Sequence, residues 1–325
     1  MNTLPQPGTH RPVMTAEIVA ALAPRDGEIF VDGTFGGGGH SRALLEAAFC
    51  RVWGIDQDPD AVPRAETLAR QFPGRFALVP GRFGAMDDLL KARGVDAVAG
   101  IALDLGVSSM QIDDPERGFS FRFDGPLDMR MAGGGSPSDF GGDGPSAADL
   151  VNTLSEGELA DIIRRYGEER RAGAVARAIV AARAQGPITR TAQLADIVRA
   201  VVRRSPDGID PATRTFQALR IAVNDEIDEL RRGLEAAERL LSPGGRLAVL
   251  SFHSLEDSAV KDFLRTGSGG GGTSRHLPLP PDRGPPAFTL PSRKAIKPGA
   301  AEIASNPRAR SARLRIAHRT PGAPA

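Results

Sequence analysis

Apolar runs along the chain alternate between two periods. Ile29-Phe30-Val31-Asp32, Val52-Trp53-Gly54-Ile55-Asp56, Phe76-Ala77-Leu78-Val79 and Val98 to Leu105 are short apolar blocks, each of strand length. Helical patterns separate them. Thr15 stands as N-cap of a helix to Leu22, a second helix opens at Ser41, and others cover Pro59 to Gln71 and Ala85 to Arg93. Strand and helix in alternation predict a parallel sheet wound on both faces. The alternation stops after about residue 111. Ser155-x-x-Glu158 is a capping-box pattern, and Leu194, Ile197, Val198, Val201 and Val202 share one helix face. A long helix is expected from Pro211 to Leu241, with Phe216, Leu219, Val223, Ile227, Leu230 and Leu234 on its buried side. Its polar stripe is Thr213, Gln217, Arg220 and Asn224. Strand character returns after Ser242-Pro243-Gly244-Gly245, at Leu247 to His253, and Arg313 to Ala317 reads as an edge strand. The Gly/Ser/Pro-rich stretches Ala132–Ser146 and Thr266–Pro291 read as loops of unassigned role.

The expectation is an α/β, Rossmann-like domain formed by residues 1–111 and 213–325, with a small α-helical domain for substrate recognition inserted at 112–212. A chain of 325 residues, 41% hydrophobic, is long enough for both cores. Cys50 is the one cysteine, so neither a disulfide framework nor a zinc-spaced Cys/His cluster is expected, and no metal. No leader and no uninterrupted apolar run of about 18 residues is visible. The expected setting is therefore cytoplasmic, away from membranes. Net charge is only +1, yet the segment from Arg293 carries eight basic residues against Glu302. That basic segment, including Arg308 and Arg310, is a candidate for phosphate contact.

The chemistry gathers at strand ends. Asp32 leads into Gly33-Thr34-Phe35-Gly36-Gly37-Gly38-Gly39-His40-Ser41. Such a strand–loop–helix offers glycines that let a ligand approach the backbone and free N–H groups at a helix start. A dinucleotide fingerprint requires Gly-x-Gly-x-x-Gly, but the third position is Ser41 from Gly36 and Arg42 from Gly37. No Gly-Lys-Ser/Thr follows, so a P-loop fails as well. An acid followed by Gly36-x-Gly38 resembles the first motif of S-adenosylmethionine-dependent methyltransferases. Asp56, 24 positions after Asp32, is placed to accept ribose hydroxyls. Asp104 ends the fourth strand, before Leu105-Gly106-Val107-Ser108-Ser109, and is the third strand-end acid. Methyl transfer from a sulfonium is a direct displacement that needs an acceptor held in line. An exocyclic amine needs an acceptor for its N–H, and Asp104 could serve. Cys50 lies before a strand, away from those ends, which disfavours thiolate-assisted carbon methylation. A cofactor-binding regulator without catalysis and an NAD-linked oxidoreductase remain the competing readings.

Longer motifs sharpen this. His10-x-Pro12-Val13-Met14, Gly54-Ile55-Asp56-Gln57-Asp58, Asp104 to Ser109, Glu116-Arg117-Gly118-Phe119-Ser120-Phe121, Asp124 to Met131, Tyr166-Gly167-Glu168-Glu169-Arg170, Thr213 to Arg220, Ser251 to Asp257 and Asn306 to Ser311 occur in order along the chain. Together they resemble the bacterial ribosomal RNA small-subunit methyltransferase H family, also called MraW. The resemblance implies methylation of N4 of one decoding-centre cytosine in 16S rRNA of the small (30S) subunit. The cofactor would be S-adenosylmethionine and the product S-adenosylhomocysteine. It implies cofactor contacts at Gly38, Gly39, His40, Asp56, Phe83, Asp104 and Gln111. Candidates for base handling and catalysis are Asp104, Ser108, Ser109, His253 and Asn224. Candidates for RNA contact are Phe119, Arg220, Arg308 and Arg310, with Phe121 and Phe123 as further stacking surfaces. Homodimerisation is left open.

Overall fold

A computed structural model of the chain describes residues 12–134, 144–204, 208–270 and 285–321; His10 lies outside them. These residues form two compact units, one of residues up to 106 and from 227, the other of residues 107–226.

The first unit opens with α1 (Thr15–Leu22), β1 (Ile29–Asp32), α2 (Gly39–Ala47), β2 (Arg51–Asp56), α3 (Val62–Gln71), β3 (Phe76–Pro80), α4 (Met86–Lys91) and β4 (Val98–Asp104). The helical unit supplies α5 (Ser109–Asp113), α6 (Ala147–Thr153), α7 (Glu156–Gly167), α8 (Ala172–Arg183), α9 (Thr191–Val201) and α10 (Ala212–Asn224). The chain then returns through α11 (Glu226–Leu240), β5 (Leu241–Ser251), α12 (Ser254–Gly267), β6 (Phe288–Thr289), α13 (Ala300–Ser305) and β7 (Arg313–Arg319).

The sheet order is β3-β2-β1-β4-β5-β7-β6. The first five strands run parallel, and β7 pairs antiparallel with both β5 and β6. Alternate residues feed opposite cores, as a sheet covered on both faces requires. Val31, Ile101, Leu103, Leu247 and Val249 pack with α4, α11 and α12. Phe30, Ala102, Ala248 and Leu250 pack with α1, α2 and α3. This is the doubly wound α/β class. Strand order reverses between β1 and β4, and ligands of such sheets bind at the carboxyl ends beside that switch point.

Several local expectations change. Thr15 lies inside α1; the left-handed Met14 precedes the helix, and the Thr15 hydroxyl donates to the Pro12 carbonyl at 3.2 Å. Strand β5 already begins at Leu241, and its register with β4 shifts over the Pro243-Gly244 segment. Strand β7 has a neighbour on each side rather than forming an edge. The stretch from 266 contains the end of α12 and, at Phe288–Thr289, a strand; 271–284 lie outside the described residues, as do 135–143 of the other loop. The expected helix from 211 to 241 is two helices, broken at Asp225 with φ 54°.

That break falls close to where the units divide. Helix α10 packs in the helical unit, whose core includes Phe216 and Leu219 with Leu159, Ile163, Val175, Leu194 and Val198. The capping box of Ser155 and Glu158 starts α7 as its pattern predicts. Another box, Ser146 with Asp149, starts α6. The helical unit thus runs beyond the expected 112–212 at both ends.

The polar stripe of α10 does structural work. Gln217 donates to the Tyr166 carbonyl at 3.0 Å. Asn224, buried, accepts from the Met131 N–H at 2.8 Å and donates to the Met129 carbonyl at 2.8 Å. Its amide is consumed by satisfying a buried loop backbone, so the catalytic expectation for Asn224 is withdrawn. Asn224→Ala leaves those backbone groups without partners. Denaturant unfolding is expected to show a loss of about 2 kcal/mol; a change under roughly 0.5 kcal/mol, the scale of an ordinary surface substitution, would contradict this role.

Candidate active site at the sheet's carboxyl edge

Asp32, Asp56 and Asp104 are the last residues of β1, β2 and β4. The apolar runs of the sequence end on these acids, and the sheet brings them to one edge. Each has a different task.

Asp32 is buried, and its Oδ2 accepts from both the N–H and the hydroxyl of Ser41, at 3.1 and 2.7 Å. It thereby ties the first turn of α2 to the end of β1. Burial raises its pKa, against the lowering pull of His40 and the Ser41 hydrogen bond. Between these anchors the loop turns through Gly36 and Gly38, with φ of 50° and 73°; Gly38 is the N-cap of α2. A side chain at these angles is strained.

Asp56 holds the loop from the other side. Its Oδ2 accepts from the Gly36 N–H at 2.6 Å and its Oδ1 from the Asp58 N–H at 2.8 Å. Burial pushes its pKa up to about 6, partly countered by those two bonds.

Asp104 is hydrogen-bonded through its backbone N–H to the Thr34 hydroxyl at 2.6 Å. Its Oδ2 lies 3.2 Å from Nε2 of His40, a side chain only 5% exposed. Burial alone would lower the His40 pKa, but Asp104 and Asp32 more than offset it and the net direction is upward. Two buried polar atoms of this pair, Asp104 Oδ1 and His40 Nδ1, have no hydrogen-bond partner among the described residues. A buried acceptor left open beside an oriented imidazole at the switch point is a feature that a bound ligand would complete.

Phe83 lies after β3 in a short 3-10 turn, Phe83–Ala85. A residue without a sequence signal fixes this turn. Glu229, 3% exposed on α11, accepts from the Gly84 N–H at 2.6 Å and lies 3.2 and 2.9 Å from Arg82 and Arg232. One turn on, Gly233 admits the Phe83 ring; a Cβ there would come within 2.4 Å of it. The only hint in the sequence is an acid beside Leu230 and Leu234 on the apolar side of a helix.

Three basic residues of the expected RNA-contacting segment are ordered in the sheet. Arg313 and Arg315 pair with Asp257 at 3.0 and 2.7 Å, and Arg319 with Glu238 at 3.5 Å. Arg308 and Arg310 are exposed in a 3-10 turn, Pro307–Ser311. His253 is the N-cap of α12: its Nδ1 accepts from the Glu256 N–H at 3.4 Å, and its Nε2 lies 3.1 Å from Glu256 Oε1. The cap uses Nδ1, while Nε2 is buried with no hydrogen-bond partner among the described residues. Cys50 is buried, with its thiol against the Leu44 carbonyl, as expected of a core residue.

The remaining candidates belong to the helical unit. Ser108 caps α5 reciprocally with Gln111, which commits the Ser108 hydroxyl oxygen and the Gln111 side-chain oxygen to that box. Ser109 is the first residue of α5. Arg220 is held by Glu226 through two bonds of 2.7 and 2.8 Å, so it is not a free cation for RNA. Phe119 is 9% exposed in the core and cannot stack on a base as it stands. Phe121 packs edge-on against Phe216 at 4.8 Å; Phe123, at 64% exposure, is the open ring of the three.

A family model described as the MraW methylase family matches residues 8–320. The chain belongs to the MraW methylase family. It is similar, at 61% identity over 97% of this chain and 96% of the relative, to "Ribosomal RNA small subunit methyltransferase H" of Paramagnetospirillum magneticum. Proteins of the same name from Rhodospirillum centenum and Rhodospirillum rubrum are 62% and 57% identical, over 97% and 96% of this chain and 93% and 94% of theirs.

Removing Glu229 tests how the Phe83 turn is held. Glu229→Ala should cost about 1–3 kcal/mol in unfolding experiments, since the Gly84 N–H and two arginines lose their acceptor. Glu229→Gln, which keeps an acceptor for Gly84, should cost less. Equal losses for the two variants would contradict the assignment.

Proposed function

We propose that this protein methylates N4 of a cytosine in the decoding centre of 16S rRNA, on the small (30S) ribosomal subunit in the cytoplasm, with S-adenosylmethionine as donor. The names of the relatives support the rRNA substrate. The observation that carries the chemistry is the open Oδ1 of Asp104, buried beside His40 at the carboxyl edge of the sheet.

The residues present fit the cofactor. Gly38 and Gly39 bring backbone to the start of α2, and their lack of a Cβ makes room for Phe35 and Pro12, which a Cβ would meet at 2.8 and 2.5 Å. Asp56 would accept ribose hydroxyls, Phe83 would offer a ring face for the adenine, and His40 and Asp104 would hold the charged end. Gln111 is assigned to the cofactor by the family resemblance alone. When bound, the cofactor supplies a methyl group on a positively charged sulfur, so no protein nucleophile is required.

Asp104 has two tasks. Its carboxylate favours the approach of a cationic donor by charge. Its Oδ1 accepts an N–H of the cytosine amine, which returns lone-pair density from the ring to N4. Displacement of the methyl group from the sulfur by N4 would leave N4 cationic and the sulfur neutral, and Oδ1 would take the surplus N4 proton. His40 holds Oδ2, keeping the carboxylate oriented and Oδ1 free for the amine.

Labelled-methyl transfer to small ribosomal subunits, followed by nucleoside analysis, should give N4-methylcytidine. Asp104→Asn should retain subunit binding and lose about 10²-fold or more in kcat. A different methylated nucleoside, no incorporation by the native protein, or an unimpaired Asp104→Asn would sink the proposal.

The raised pKa of Asp56 sets a second expectation. In the free protein the group titrates near pH 6, above its ordinary 3.8, so the folded state favours the protonated form. Its contribution to stability is therefore full below pH 4 and lost as pH rises through 6. Hydroxyl donors favour the ionised form, so cofactor affinity should show the opposite trend and fall as pH drops below 6. Calorimetric titration with S-adenosylhomocysteine from pH 5 to 8 checks this. Affinity that is flat with pH, or that falls equally for Asp56→Asn, would contradict it.

A further inference from the structure

The helical unit is not basic overall. Residues 107–226 hold fifteen arginines, no lysine and eighteen carboxylates, a net charge of −3. Against that background four of the arginines line one cleft of about 710 Å³: Arg171, Arg199, Arg203 and Arg204. Asp210 is the single carboxylate in its wall among the described residues, and Val201 and Val202 are among its apolar lining.

The cleft lies where three segments meet. Arg171 is the N-cap residue of α8. Arg199 belongs to the last turn of α9, and Arg203 and Arg204 follow that helix. Asp210 precedes α10, where its Oδ1 accepts from the Ala212 N–H at 2.9 Å.

The four arginines are not equivalent. Arg199 is part of the frame. Its guanidinium donates to Asp210 at 3.0 and 3.1 Å and to Asp196 at 2.9 Å, and it lies 5.4 Å from the centre of the Phe121 ring. Asp210 is thereby spent: burial would raise its pKa, but Arg199 and the Ala212 N–H bring it below the ordinary carboxylate value. The guanidinium groups of Arg171, Arg203 and Arg204 make no hydrogen bond or ion pair among the described residues, and all three are exposed. Among the described residues Asp210, already bonded to Arg199 and within the field of Arg204, is the one counter-charge in this wall, so the concavity keeps an excess of positive charge that an anion from outside would relieve. Guanidinium forks match phosphate oxygens two at a time, and an apolar wall accepts sugar and base surfaces.

We propose that this cleft binds the sugar–phosphate backbone of the rRNA substrate, at nucleotides other than the one that is methylated. The proposal rests on the rRNA reading above for its ligand and on the cleft alone for its place. Arg171, Arg203 and Arg204 contact phosphates directly, while Arg199 braces the cleft wall through Asp210.

The test compares Arg171→Ala/Arg203→Ala/Arg204→Ala with a charge-matched control, Arg164→Ala/Arg165→Ala/Arg177→Ala, whose arginines are exposed elsewhere on the unit. Circular dichroism confirms folding, and a third variant with lysine at 171, 203 and 204 retains the charge if alanine perturbs the loop. Binding to 16S rRNA is followed by fluorescence anisotropy at increasing salt. Each phosphate contact contributes about 0.7–0.9 to the slope of log affinity against log salt. The slope should therefore shrink by about 2–3 in the cleft variant, remain near native in the lysine variant, and change less in the control. In methyl transfer the KM for the subunit should rise at least about tenfold, with kcat and cofactor affinity unchanged. A native slope and native KM in the cleft variant, or equal effects in the control, would overturn the proposal. Failure of the native protein to methylate rRNA would instead strike the functional reading, and the anisotropy slopes would still report on the cleft.

Discussion

The burial of Asp32 is the constraint on which the carboxyl edge of the sheet depends. A carboxylate with about 1% exposure at a strand end must be satisfied locally. The acceptable donors come from Ser41, nine residues on, and reaching it forces the intervening backbone through the left-handed turns at Gly36 and Gly38. Once that closure is made, His40 has little freedom and meets Asp104 on the neighbouring strand. Asp56 anchors the same loop at Gly36. The course of this loop is thus a consequence of satisfying buried polar groups, and of the three strand-end acids Asp104 is the one with a buried oxygen that has no hydrogen-bond partner among the described residues.

The same accounting of buried polar groups separates functional from architectural residues elsewhere. Asn224, Gln217, Ser108, His253 and Arg220 all look available when read as polar residues in family motifs. In the structure Asn224, Gln217, Ser108 and Arg220 are committed to a backbone group, a helix cap or an ion pair, and His253 commits Nδ1 to a cap but leaves Nε2 without a hydrogen-bond partner among the described residues. Glu229 shows the converse: it lies in none of the motifs, yet it fixes the turn that presents Phe83. A polar residue gives a stronger indication of function when its hydrogen-bonding capacity is unspent in the folded protein.

Much of the edge is legible in the sequence because it depends on short-range patterns. Apolar runs ending in an acid mark β1, β2 and β4, and glycine spacing by itself excludes a dinucleotide loop. What cannot be read there depends on distant partners. The break at Asp225 is invisible to periodicity because Phe216 and Leu219 before it and Leu230 and Leu234 after it keep a common helical phase, although they pack in different units. Phe119 and Phe123 have the same local pattern, and only the packing of α10 and its neighbours decides that one is core and the other exposed. Likewise, the charge of the segment from Arg293 is correct as a count, but Asp257 and Glu238, which neutralise part of it, come from α12 and α11.

The central claim is that the open oxygen of Asp104, oriented by His40, faces the reacting groups. The most direct measurement is the position of Asp104 in a crystal of the protein with S-adenosylhomocysteine and a cytidine-containing RNA fragment. The account predicts Oδ1 within hydrogen-bond distance, about 3 Å, of the exocyclic amine, with Oδ2 still on His40. A complex in which the amine is held by another residue, with Asp104 turned away from both ligands, would contradict it.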